Sequence, residues 1–151
     1  MIYKLSIPEY PLTLRTDDDN RQKVFDPLRR CWVALTPEEW VRQQMFHYLT
    51  EHLEYPASRM THEHSIVFNG LKKRCDGVVF ASNGTPQVIM EYKAPTIHIT
   101  QKVFDQIAIY NMQLHVPYLL ISNGMQHFFC QIDFEQKKYV FARDILPYTL
   151  L

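Results

Sequence analysis

Cysteine is scarce in this sequence: Cys31, Cys75 and Cys130 are odd in number, far apart and never in C-x-x-C spacing. That excludes a disulfide framework and a zinc knuckle as the basis of the fold. Glycine is scarcer than proline, 4 against 9, so the loops should be short and stiff. No run approaches the roughly 18 consecutive apolar residues that span a bilayer. The N-terminus leads from Ile2-Tyr3-Lys4 into proline and acid, without the apolar core of a signal peptide. Net charge is absent too, because 16 Lys and Arg balance 16 Asp and Glu. Such a balance gives no global attraction to nucleic acids or acidic membranes. The expectation is a soluble protein of a reducing compartment, the cytoplasm, with no membrane partner.

What is present argues for a folded domain. A chain of 151 residues with 46% hydrophobic and 13% aromatic content can bury a core without metals or disulfides as staples. Residues 1–35 read as an N-terminal arm and short hairpin packed on the domain, and residues 36–151 as the domain itself. Local basic runs, Arg29-Arg30, Lys72-Lys73-Arg74 and Lys137-Lys138, read as solvated loops rather than as a binding patch.

Thr36-Pro37-Glu38-Glu39 is a helix start: Thr caps, Pro suits the first helical position, and Glu39 sits where a capping box wants it. The helix should run to about Leu53, with Val41, Met45, Tyr48 and Leu49 on its buried stripe. Strands follow at His64–Phe68, Arg74–Phe80 and Gln87–Tyr92, joined by turns at Asn69-Gly70 and Asn83-Gly84. Thr100 can cap a second helix to about Leu114, burying Val103, Ile107, Tyr110 and Leu114. A strand at Pro117–Ser122 and an extra C-terminal hairpin, Phe128–Asp133 with Tyr139–Ala142, complete the order. The fold class is α/β (α+β), a mixed central sheet flanked by helices.

Two of these strands carry charges where a buried strand should not. In Val88-Ile89-Met90-Glu91-Tyr92-Lys93, alternation puts Glu91 and Lys93 on the same side, and Asp76 interrupts the neighbouring apolar run. Buried charges need a partner or an ion. Two carboxylates can hold a hard divalent cation such as Mg²⁺, and a lysine beside them can orient water or stabilise negative charge. The alternative is a plain ion pair from Lys93 to Glu91 or Asp76. His62 and His64, flanking Glu63, have no third ligand nearby in sequence, and an edge-strand face accounts for them better than a metal site.

Four segments then agree with a known family. Lys73-Arg74-Cys75-Asp76, Glu91-Tyr92-Lys93-Ala94-Pro95, Gln106-Ile107-Ala108-Ile109-Tyr110-Asn111 and Pro117-Tyr118-Leu119-Leu120-Ile121-Ser122-Asn123-Gly124 occur in order over residues 36–130. Together they resemble the N-terminal nuclease domain of type I restriction-enzyme R subunits, of the PD-(D/E)XK superfamily. The resemblance implies a restriction-endonuclease-like fold and Mg²⁺-dependent endonuclease activity on DNA, with Mn²⁺ as a substitute. It makes Asp76 and Glu91 metal ligands, Lys93 the catalytic lysine and the Tyr92 main-chain carbonyl a further ligand. Gln106 and Tyr110 match its Q-x-x-x-Y feature. Many superfamily members add a glutamate from the first helix, for which Glu38 suits better than Glu39. The motor that follows this domain in R subunits has no counterpart in these residues. The expected partners are therefore DNA, other restriction-type or motor subunits, or a second copy in a homodimer. A binding or assembly module that keeps the nuclease fold is the competing expectation.

Overall fold

The computed structural model describes residues 3–151. Among the described residues, nine strands form two sheets, accompanied by two α-helices. Strands β1 (Leu14–Thr16), β2 (Gln22–Asp26) and β3 (Cys31–Ala34) make an antiparallel three-stranded sheet. The expected hairpin is β2–β3, and β1 adds a strand to it.

Helix α1 (Pro37–His47) starts as its sequence dictates, with the Thr36 hydroxyl accepting the Glu39 N–H at 3.0 Å. The helical run ends at His52, close to the expected Leu53, but its last turn, Tyr48–His52, is a wider π turn and not α. The Thr50 hydroxyl donates back to the Phe46 carbonyl at 2.9 Å, the kind of local bond that competes with the helical ladder. Nor does Glu39 close a capping box, since the Thr36 N–H goes to the Ala34 carbonyl. The Glu39 carboxylate instead accepts from Arg29, Arg42 and Gln43.

The larger sheet runs β4 (Met60–Phe68), β5 (Leu71–Phe80), β6 (Pro86–Tyr92), β7 (Tyr118–Ser122), β8 (His127–Asp133) and β9 (Lys138–Phe141) in that spatial order. All neighbours are antiparallel except β6 and β7, whose parallel pairing requires a crossover, supplied by α2 (Gln101–Leu114). Asn69 and Gly70, both at positive φ, make the tight β4–β5 turn that such residues favour. The C-terminal hairpin β8–β9 extends the sheet itself.

Each face of this sheet is covered. Val41 and Met45 of α1 and Leu49 of the π turn pack on Val79, Val88, Met90, Tyr92 and Leu120. Phe104, Ala108 and Leu114 of α2 pack on Val78, Ile89, Leu119, Ile121 and Cys130. Every residue of β7 is buried, as a strand covered on both faces must be. Of the stripe expected on α2, Leu114 is buried and Val103 and Ile107 pack partly buried on the core, but its centre is Phe104, Ala108 and Asn111, and the expected Tyr110 is exposed. Asn111 can face inward because its amide donates to the Tyr118 carbonyl at 2.8 Å, and this rotation turns Tyr110 to the surface.

A buried polar network fastens the small sheet to the large one. Asp26 of β2 takes bonds from Arg29 and, at 2.8 Å, from His62 of β4, while Arg29 also reaches Glu39 of α1 at 2.7 Å. Burial opposes the charge on Asp26, but His62 and Arg29 outweigh it and hold this carboxyl well below the usual carboxylate range. His62 is thus a buried link, not part of an exposed edge face.

Candidate active site

Pairing between β5 and β6 runs from Phe80↔Pro86 to Gly77↔Met90 and goes no further towards Asp76. There the Asp76 side chain takes over: its Oδ2 accepts the Tyr92 main-chain N–H at 2.7 Å. Asp76 therefore completes the hydrogen bonding of the neighbouring strand, which holds its carboxylate beside Glu91. The two acids are close enough for the charge of one to act on the other. Burial, then the charge of Asp76, pushes the Glu91 carboxyl up to about 8, although Lys73 works in the opposite direction. The Glu91 Oε1 atom is buried and has no hydrogen-bond partner.

Each acid has its own cation, brought from a different side. Arg42 of α1 is buried and reaches Asp76 Oδ1 at 3.3 Å, Glu63 at 2.7 Å and Glu39 at 2.7 Å. Glu63 lies where β4 is irregular, with φ of 53°, between the pairs His62↔Gly77 and His64↔Cys75. It accepts from Arg74 as well, at 2.7 Å. Lys73 of β5 lies 3.7 Å from Glu91 Oε1, beyond hydrogen-bonding distance, and 4.9 Å from the ring centre of Tyr110 on α2.

The expected residues fall into three groups. Asp76 and Glu91 come together, and the Tyr92 backbone lies against them while its ring is buried under α1. Glu38 and Lys93 stand around this pair. Burial and the charge of Asp76 raise the Glu38 carboxyl, with Lys93 and Arg42 opposing. Lys93 also acts on Glu91, but the ammonium makes no ion pair within 4.0 Å among the described residues, so the plain Lys93–acid pair is not formed. Its backbone N–H is tied to the Ser122 carbonyl of β7 at 2.9 Å. Tyr110 reaches the site through Lys73. Gln106 is exposed beside Asp105, Ile109 and Tyr110 in a shallow recess and touches neither acid.

Sequence reasoning passed over Arg42, Glu63 and Lys73. Arg42 is buried and pairs with Glu39, Glu63 and Asp76, two of them far away in sequence. Lys73 looked like part of a solvated run, and its contact with Glu91 is made across strands, from β5 to β6.

Among the described residues no group of three or more His, Cys, Asp or Glu side chains gathers as a closed metal cage. Two carboxylates nevertheless fit Mg²⁺, which keeps several waters and is commonly held by one or two acids together with substrate phosphates. The buried, unpartnered Glu91 oxygen beside Asp76 is the kind of atom such a cation would satisfy.

Comparison with known proteins agrees with this architecture. A solved fragment from Vibrio vulnificus YJ016, described as an HsdR subunit of a type I restriction enzyme, is similar with a TM-score of 0.51 and 18% identity. The match covers 74% of this chain and 24% of that one, so the chain spans about a quarter of the relative's length, and the likeness concerns the fold. No curated protein gives a significant match. The family model for the type I restriction enzyme R protein N terminus matches residues 37–147, most of the sequence and all of the acid cluster, and the chain belongs to that family.

Proposed function

We propose that this chain is a Mg²⁺-dependent endonuclease that hydrolyses DNA phosphodiester bonds, with Mn²⁺ able to substitute. The observation that carries the reading is the pairing of Asp76 with Glu91 at the point where β5 and β6 separate, with one buried Glu91 oxygen left unpartnered. Buried polar atoms are normally hydrogen-bonded; this one is not and leaves a place for a further cation. Membership of an R-protein family supports a role connected with restriction, and DNA and other restriction subunits as partners.

Asp76 and Glu91 would hold the cation, with the Tyr92 carbonyl and Glu38 as further oxygen donors. Bound there, the cation supplies Lewis acidity to a phosphoryl oxygen and lowers the pKa of water. Lys93, without an ion pair among the described residues, would direct its ammonium to the attacking water or to the negative charge that grows on the phosphate. Its position is fixed by the backbone bond to Ser122, which ties β6 to the rigid, wholly buried β7. Tyr110 and Gln106 present polar groups on the exposed face of α2, where a DNA backbone can lie. Cutting both strands of a duplex calls for a second site, from a second copy or a partner.

One observation favours a binding module instead: Asp76 is already neutralised by Arg42 at 3.3 Å. Cleavage of supercoiled plasmid and of single-stranded DNA with Mg²⁺ or Mn²⁺ separates the two. The nuclease reading expects cutting by the wild type that Glu91→Gln and Lys93→Ala abolish while circular dichroism stays native. An inactive wild type, or cutting that survives both changes, gives the site to the binding module.

A further inference from the structure

Lys73 is the cation that pairs with Glu91 among the described residues, and the contact has an unusual form. The ammonium is 3.7 Å from the buried Oε1, close enough to neutralise it but too far to donate a hydrogen bond. On its other side lies the face of the Tyr110 ring at 4.9 Å, within cation–π range. The side chain is 28% exposed, so the ammonium can move outward without crossing packed core. Arg42 stands in contrast: it is 4% exposed, holds three carboxylates and has no such freedom. One acid of the pair thus has a fixed cation and the other a movable one.

We propose that Lys73 is a resident counter-ion of Glu91 that a divalent cation displaces, and that Tyr110 is the shelf that keeps the displaced ammonium at the mouth of the site. The inference rests on the metal-binding reading above and names the residue that tunes it. Lys73 is a positioning residue here. Its ammonium lies beside the oxygen that a divalent ion would take, so it occupies that place while no such ion is present and competes with the ion for it. Breaking a partly exposed Lys–Glu pair is a small cost, so the competition is mild and the exchange reversible.

Mn²⁺ binding to the 151-residue chain without DNA tests this, followed by electron paramagnetic resonance of free Mn²⁺ at low ionic strength. Lys73→Met keeps the length and apolar stem but removes the charge, and should bind Mn²⁺ roughly fivefold tighter than wild type. Lys73→Arg keeps the charge and should stay near wild type, which a purely steric role would not produce. Thermal melts of both variants establish that they fold. Unchanged or weaker binding by Lys73→Met overturns the proposal. Glu91→Gln serves as the separate control for the underlying reading. If wild type binds and Glu91→Gln does not, the metal site stands and only the role of Lys73 is being decided. If neither wild type nor Lys73→Met binds Mn²⁺, both conclusions fall together.

Discussion

Asp76 accepts the main-chain N–H of Tyr92 at 2.7 Å, across the point where their strands stop pairing. This one bond gives Asp76 a structural role separate from its charge, and the two can be told apart. Asp76→Asn keeps an oxygen for the Tyr92 N–H but loses the ion pair with Arg42. Asp76→Ala loses both and leaves a main-chain donor unsatisfied, a cost of about 1–3 kcal/mol. Urea denaturation should therefore rank stability as wild type, then Asn, then Ala, while plasmid cleavage is lost equally in both variants. Equal stability of Asn and Ala would show that the Tyr92 bond contributes nothing.

Arg42 is expected to be the most sensitive charge in the molecule. Its guanidinium is buried and serves Glu39, Glu63 and Asp76 together, so removing it strands several acids at once. Replacing one partner of a buried ion network typically costs about 3–5 kcal/mol. Arg42→Met should reach that range in chemical denaturation, and Arg42→Lys should recover only part, because an ammonium cannot fork among three carboxylates. A loss under about 1 kcal/mol for Arg42→Met would mean that the network is neutral in net effect, as some buried networks are.

Stability should fall as pH rises through the neutral range, the reverse of the usual carboxylate behaviour. Glu91 has an ordinary value of 4.5 and is pushed up to about 8 in the fold. Between these values the folded chain binds more protons than the unfolded one, so unfolding free energy declines from pH 4.5 to about 8. Mg²⁺ should relieve the cost by compensating the charge, so its effect on Tm should be larger at pH 8 than at pH 5. Calorimetry of wild type and Glu91→Gln with and without Mg²⁺ checks this. If Glu91→Gln keeps both the slope and the Mg²⁺ response, the assignment to Glu91 is wrong. At the acid end Asp26 acts in the opposite sense, because its lowered value makes its contribution disappear as pH falls below the usual carboxylate range.

Much of this architecture was legible in local patterns. Thr36 and Thr100 announced both helix starts, Asn69-Gly70 set the hairpin that carries Asp76, and alternation in β6 put Glu91 apart from its apolar neighbours. What escaped had its cause at long range. Nothing near Asn111 shows that the Tyr118 carbonyl awaits its amide, so Tyr110 was put in the stripe of α2 in its place. Glu39 fitted a capping box by spacing, but Arg29 and Arg42 compete for its carboxylate and win with charge-assisted bonds. Arg42, Glu63 and Lys73 met the acids from other elements, where only tertiary structure could bring them.

Gly77 offers a last test, since it links the packing of the core to the geometry of the acids on either side. A Cβ added there would lie 2.6 Å from Met90 Cε and 3.2 Å from the Thr61 carbonyl oxygen. Met90 is wholly buried against α1, so its methyl can move only by disturbing neighbours. Gly77→Ala should therefore cost about 1–3 kcal/mol, as overpacking does. Met90→Leu removes the obstructing methyl, and the double variant should be more stable than the sum of the two single changes predicts. Because Gly77 adjoins Asp76 and pairs opposite the neighbour of Glu91, Gly77→Ala should also weaken Mn²⁺ binding, and the double variant should restore it in part. Strict additivity in denaturation would place the obstacle at the Thr61 carbonyl instead, where no side-chain change can relieve it.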